Sequence, residues 1–348
     1  MENLSNAPRG RIAPALTLML LAPLIAEVLP GATRVSSLFV LPLEMCIWGG
    51  GALLARAAVR HWKLGWLNLL VLGFALSIAE EFLIQQTSFA PMMVQIFKGA
   101  DYARAGGVNY LYLLWALFYE GVLVVVVPVM VTELIFRSRR HDTWVTRGGV
   151  IAVSIAFLVA CVPAWFLWTQ FVRDKILHIG IYNPPASSIV LGALLFAALI
   201  VLAIGPPRCA LAKRPAPIKP LPPWALFIMG AIAGVLWFGL LLLAFRIRPE
   251  FPPSLAVAGG LAIAAIGCWL VPRFAAHPAW SDAHRMGIAL GTMLGTNAIN
   301  YLGFINGNAT PLDLYGKMTL DAIGTILLFW LAVSLRGAIS GAAIPRGA

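Results

Sequence analysis

Ten apolar runs, each long enough to cross a hydrocarbon layer, constrain this chain more than any other feature. A bilayer core about 30 Å thick takes roughly 20 helical residues to span. Runs of that kind lie near 12–30, 35–58, 64–85, 109–136, 148–170, 186–205, 223–245, 254–273, 285–305 and 318–336. In lipid every backbone N–H and C=O must be paired within its own segment, so these runs predict helices. Composition agrees: 60% of the 348 residues are hydrophobic and 11% charged, against about a quarter charged in a soluble domain. The expected fold is all-α, a polytopic transmembrane helical bundle of about ten spans.

Lys and Arg accumulate on the cytoplasmic side of membrane proteins. Alternate loops together with the two termini hold 17 of the 25 basic residues. That asymmetry predicts N-in and C-in termini, and the expected location is the bacterial cytoplasmic (inner) membrane. The net charge of +11 is spread over short loops rather than gathered into one patch. It therefore points to anionic lipid headgroups and away from nucleic acid. The first run is longer than a signal-peptide core and no small-x-small cleavage site follows it, so it reads as a helix. Cys46, Cys161, Cys209 and Cys268 are scattered, with neither metal nor disulfide spacing.

One break in composition, GPPRCALAKRPAPIKPLPP at 205–223, is Pro-rich and basic. It predicts an extended cytoplasmic linker (206–223) between a six-helix half (1–205) and a four-helix half (224–348). Two loops on the opposite side are long, 86–108 and 171–187; the first contains QIFKGADYARAGG, suited to a surface connection or a short interfacial helix. Gly287, Gly291 and Gly295 recur every fourth residue, as do Gly230 and Gly234. That spacing lets helix backbones approach closely.

Seven acids fall inside the runs: Glu27, Glu44, Glu80, Glu81, Glu120, Glu133 and Asp321. A charge at the bilayer centre costs about 2.5–3.5 kcal/mol on insertion scales, so such residues face a cavity or a partner and mark function. Glu133 has Arg137 four residues on, the spacing of an interfacial helix pair, and Glu27 has Arg34 beyond it as a snorkelling partner. The remaining acids, with Asn297 and Asn300, all fall in the outer half of the membrane under the predicted topology. Glu44, Glu80, Glu81, Glu120, Asn297, Asn300 and Asp321 are therefore the candidate groups for a small polar or cationic ligand. No Lys, Arg or His lies deep in any run to neutralise them. The carboxyls are thus protonated, cation-bound or lining water.

Three function classes fit. Unpaired membrane acids, a Pro-broken fourth helix and the lack of a nucleotide-binding motif suit a proton- or cation-coupled secondary transporter. An intramembrane hydrolase or transferase would use Glu80 or Glu81 as general base. Glu80, Glu81 and Gln85 resemble the E-E-x-x-x-R element of the CAAX-protease and bacteriocin-processing family, with glutamine in place of the arginine. The resemblance implies water activated by the glutamates with histidines from later helices, yet His61, His141, His178, His277 and His284 all fall in loops or at cytoplasmic ends. The third class is a non-catalytic scaffold or subunit whose acids pair with another chain. No particular cofactor is indicated.

Overall fold

A computed structural model describes residues 12–89, 103–176, 178, 180–212, 215–246, 250–306 and 309–341. The ten apolar runs coincide with ten helical stretches: α1 (Ile12–Val28), α2 (Val35–His61), α3 (Trp66–Ile84), α4 (Tyr110–Ile135), α5 (Arg147–Ile176), α6 (Ala186–Ile204), α7 (Pro223–Arg246), α8 (Pro253–Ala276), α9 (Asp282–Asn306) and α10 (Pro311–Gly341). Eight of them, all but α1 and α9, are long and apolar enough to cross a membrane. The molecule is an all-α membrane-protein bundle.

Burial sorts the helices into centre and rim. In α3 and α4, 72% and 67% of the span lies buried, against 11% in α5, α6 and α8. The rim helices expose large apolar side chains such as Leu158, Val190, Leu194 and Trp330, which is the surface a lipid tail solvates. Helix α4 is the hub, with α3 and α1 on one side and α8 and α9 on the other.

Helix contacts are closest where glycine removes the side chain. A Cβ added at Gly287, Gly291 or Gly295 of α9 would strike the backbone of Pro223, Phe227 and Ala231 in α7, and one at Gly230 or Gly234 would strike Ile288 and Thr292 in return. The partner numbers rise together, so α7 and α9 run parallel, with α8 returning between them. The same device joins α3 to α4 at Gly73 and Gly121.

At the end of the bundle where α2 and α4 finish, Arg56 and Glu133 are both buried. Arg56 Nε donates to Glu133 Oε1 at 2.9 Å, and Arg60 Nη2 donates to the same oxygen at 2.5 Å. The expected Glu133–Arg137 pair is replaced by this pairing across helices. Arg56 also donates to the Arg140 and Asp142 carbonyls and stacks 3.2 Å from the Trp144 ring centroid, folding the α4–α5 loop beneath the helices.

Other expectations change locally. The linker is not wholly extended: Arg208–Ala212 is a short helix, held to α3 because buried Asn68 donates to the Ala203 and Arg208 carbonyls at 2.8 and 3.2 Å. Helix α5 runs six residues past its expected end, and Arg173 near its terminus is buried with Nε donating to the Gly180 carbonyl. Of QIFKGADYARAGG (95–107), residues 95–102 lie outside the described residues. The rest enters a hairpin, β1 (Arg104–Ala105) with β2 (Val108–Asn109), turning on Gly106 and Gly107 at φ +57° and +81°.

Two outcomes follow from this packing. Gly291→Val forces a side chain into the Phe227 carbonyl, and overpacking of this kind costs about 1–3 kcal/mol; detergent-solubilised protein should melt lower than wild type, while Gly267→Val, where nothing lies within 4 Å, should not. Arg56→Ala leaves Glu133 buried with Arg60 alone, and broken buried pairs cost about 3–5 kcal/mol; a melting temperature equal to wild type would rule that assignment out.

Candidate functional site

The opposite end of the bundle gathers carboxyls from four helices. Glu44, Glu80, Glu81 and Glu120 are 4%, 4%, 2% and 4% exposed, and Glu27 is half-buried beside them. Glu80 and Glu81 are each within hydrogen-bonding reach of Glu120, and Glu27 and Glu44 lie within electrostatic reach of Glu80. Among the described residues none of the five forms an ion pair.

Each of these acids sits in or next to a wide, π-helical turn. Glu27 lies in Leu24–Val28, Glu44 immediately before Met45–Gly49, Glu80 and Glu81 in Ala79–Ile84, and Glu120 opens Glu120–Val126. Such turns are rare and concentrate at functional sites. Proline accounts for part of the pattern. Pro23 has no N–H to give the Met19 carbonyl, and Gly49 of α2 packs against that freed backbone. Pro128 follows the wide turn of α4, so the expected Pro break is a change of helix type just before the proline.

The partners differ from one acid to the next. The Trp48 indole of α2 donates to Glu80 Oε2, and the Thr33 hydroxyl of the α1–α2 loop donates to Glu44 Oε1. Glu81 Oε2 accepts from the hydroxyls of Thr87 and Ser88 at 2.6 and 2.7 Å. Those hydroxyls come from a segment that turns back into the bundle after α3: Gln86, Thr87, Ser88 and Phe89 are all buried. Gln86 takes a left-handed backbone, φ +59°, to make that turn, a strained conformation typical of functional sites. The Phe89 ring packs edge-on against Phe82, and Asn109 N of the hairpin donates to the Ser88 carbonyl at 2.9 Å. Glu120 is the least satisfied: Ser77 lies beside it without a full hydrogen bond, and Glu120 Oε2 has no partner.

Other groups named from sequence lie elsewhere. The Glu27–Arg34 pair is absent; Arg34 turns to Asp313 of α10, 4.0 Å away. Asp321 is 2.9 Å from Lys317 Nζ, so this acid does have a cation, and Lys317 is 2% exposed. Helix α10 begins seven residues before its expected start, which draws Lys317 inside. Lys317 also donates to the Leu29 carbonyl, just past the wide turn of α1. Asn297 is buried in α9, and Asn300 folds back onto the Thr296 carbonyl of its own helix at 2.9 Å. Among the described residues, no hydrogen bond or ion pair joins either to the carboxyl cluster. Thr33, Trp48, Thr87, Ser88 and Tyr112, whose hydroxyl is within reach of Thr87, escaped the sequence reading. The adjacent QTS after the glutamates was the available signal.

Among the described residues, no group of three or more His, Cys, Asp or Glu has the arrangement to hold a metal ion. No protein-family model, characterised protein or solved structure matches the chain.

The unequal donors predict unequal mutants. Glu81→Ala strands two buried hydroxyls, and an unmade buried hydrogen bond costs about 1–3 kcal/mol, so the variant should melt well below wild type at pH 7. Glu120→Gln replaces a carboxyl whose Oε2 has no partner and should melt at or above wild type. The reverse order would show that Glu120 is held by partners.

Proposed function

We propose that the chain is a proton- or cation-coupled secondary transporter of the bacterial cytoplasmic membrane. It would span the membrane ten times with both termini inside, its halves 1–205 and 224–348 joined by the linker 206–223. The coupling site is the carboxyl cluster, and the observation that carries the reading is that Glu80, Glu81 and Glu120 face one another without a cation among the described residues.

Two carboxyl groups can hydrogen-bond only if one keeps a proton, because an ionised carboxylate has no donor. Like charges that close also disfavour ionising together. The cluster therefore holds a proton or a cation, and its charge state is coupled to packing. Glu81, fed by Thr87 and Ser88, suits the ionised member. Glu80 and Glu120 suit the pair that shares or exchanges the proton. Lys317, bonded to both Asp321 and the Leu29 carbonyl, ties the second half to the wide turn bearing Glu27. Asp321, Asn297 and Asn300 are the polar groups the second half would offer a small polar or cationic cargo.

The acids are buried among α1 to α4 instead of facing lipid, which weighs against a scaffold that pairs them with another chain. A hydrolase built on Glu80 and Glu81 would want a histidine, and among the described residues no histidine hydrogen-bonds or ion-pairs with either.

The test is charge movement. Protein reconstituted in liposomes on a solid-supported membrane should give a transient current on a jump from pH 7.5 to pH 6, or on a Na⁺ jump at fixed pH. The double variant Glu80→Gln/Glu120→Gln should lose it. Full amplitude in the double variant, or none in wild type under either jump, sinks the proposal.

A further inference from the structure

An apolar cavity lies away from the acids. It occupies about 250 Å³ between α3 and α4 on one side and α7, α8 and α9 on the other. Its walls are apolar and aromatic almost throughout, with Trp66, Phe118, Trp237 and Phe238 prominent. Along α9 it extends from Arg285 to Thr296, a rise of about 16 Å at 1.5 Å per residue. That is a slot for the greater part of one hydrocarbon chain, walled by side chains that offer almost nothing to hydrogen-bond.

The mouth has the opposite character. Arg285 lines it directly, and Trp66 separates it from a smaller pocket formed by Arg56, Arg60 and Glu133. Arg140 stands close by, paired to Asp282 at 2.8 Å. Four arginines thus face two acids, Glu133 and Asp282, each already bonded at 2.9 Å or less. Arg285 reaches Asp282 only at 3.7 Å, and the Arg60 Nε–H is buried without a partner. The excess positive charge lies at this end of the slot, where the head of a bound amphiphile would sit, with the unpartnered Arg60 donor in the adjoining pocket beyond Trp66.

We propose that this slot binds one acyl chain of an anionic phospholipid, with the phosphate held by Arg285 and Arg60. The occupant follows from charge complementarity at the mouth together with the apolar walls: a zwitterionic lipid would bring a cation into an arginine cluster, and a free anion would leave the walls unfilled. The bound chain bridges the two sides of the slot. Its upper end meets Tyr119, the neighbour of Glu120, so lipid occupancy and the acidic cluster share α4. The site stands without the transport reading.

The experiment is thermal melting of delipidated protein in maltoside with added phosphatidylglycerol, phosphatidylcholine or inorganic phosphate. Three proteins are compared: wild type, Arg285→Gln, and Gly267→Phe, whose new ring grows into the slot from a position with open space around it. Phosphatidylglycerol should raise the wild-type melting temperature by about 3 °C or more over phosphatidylcholine. Arg285→Gln should erase that difference, and Gly267→Phe should abolish the response to both lipids. Native mass spectrometry supplies a second readout, with one phosphatidylglycerol retained by wild type and fewer by Arg285→Gln. Equal responses to both lipids in wild type would show ordinary lipid solvation of the rim and overturn the proposal. A shift produced by phosphate alone would assign the site to a free anion and overturn it equally.

Discussion

Carboxyl groups packed against one another in an apolar bundle, with no cation among them in the described residues, set the terms on which the first four helices can associate. An isolated buried carboxylate is expensive, and the cost falls only when protons are shared and donors are close. That requires helices near enough for side chains as short as glutamate to meet. Gly73 against Gly121, and Gly49 against Met19, supply the approach within one or two turns of the acids. The wide turns then present Glu27, Glu80, Glu81 and Glu120 at the meeting point. The returning segment 86–89 closes it with Thr87 and Ser88.

The second half gives that arrangement a firm wall. The glycine faces of α7 and α9 pack backbone to backbone, a contact made mostly of dispersion and weak Cα–H···O bonds. Small residues leave little room for adjustment, so α7 and α9 act as one body against which α4 leans. Where side chains are larger, between that pair and α3, α4 and α8, the packing opens into the 250 Å³ slot. Rigid contact and open slot are thus two results of one residue pattern.

How much of this was legible in the sequence depends on the range of the interaction. Helix positions were, because an apolar run is a local property and lipid leaves the backbone one solution. The glycine face of α9 was too, since its four-residue repeat has one steric meaning. Lateral partners were not. Glu133 has Arg137 within one turn, yet it takes Arg56 and Arg60 from α2, 77 and 73 positions away. Lys317 looked like a loop residue because Asp313 and Lys317 lower the local apolarity; packing against Leu29, Tyr301 and Phe304 buries it all the same. The pairing of Glu81 with Thr87 and Ser88 is short in sequence but depends on a left-handed turn at Gln86, which a glutamine does not announce.

Helix α4 carries two glutamates whose contrast separates structure from function. Glu120 and Glu133 are 13 positions apart, about 20 Å along the axis, and both are buried. Glu133 takes two arginines on Oε1, one of which, Arg56, also gathers the neighbouring loop, so its charge is fixed by ion pairs and its work is to hold α2, α4 and the α4–α5 loop together. Glu120 has other acids for neighbours and, among the described residues, no ion pair, so its charge is free to change with what binds beside it. A helix anchored by an ion pair at one end and carrying an acid among other acids in a wide turn at the other has one fixed end and one responsive end. Any change in occupancy of the acidic cluster is then felt along α4, past Tyr119 and the apolar slot, before it reaches the anchored end.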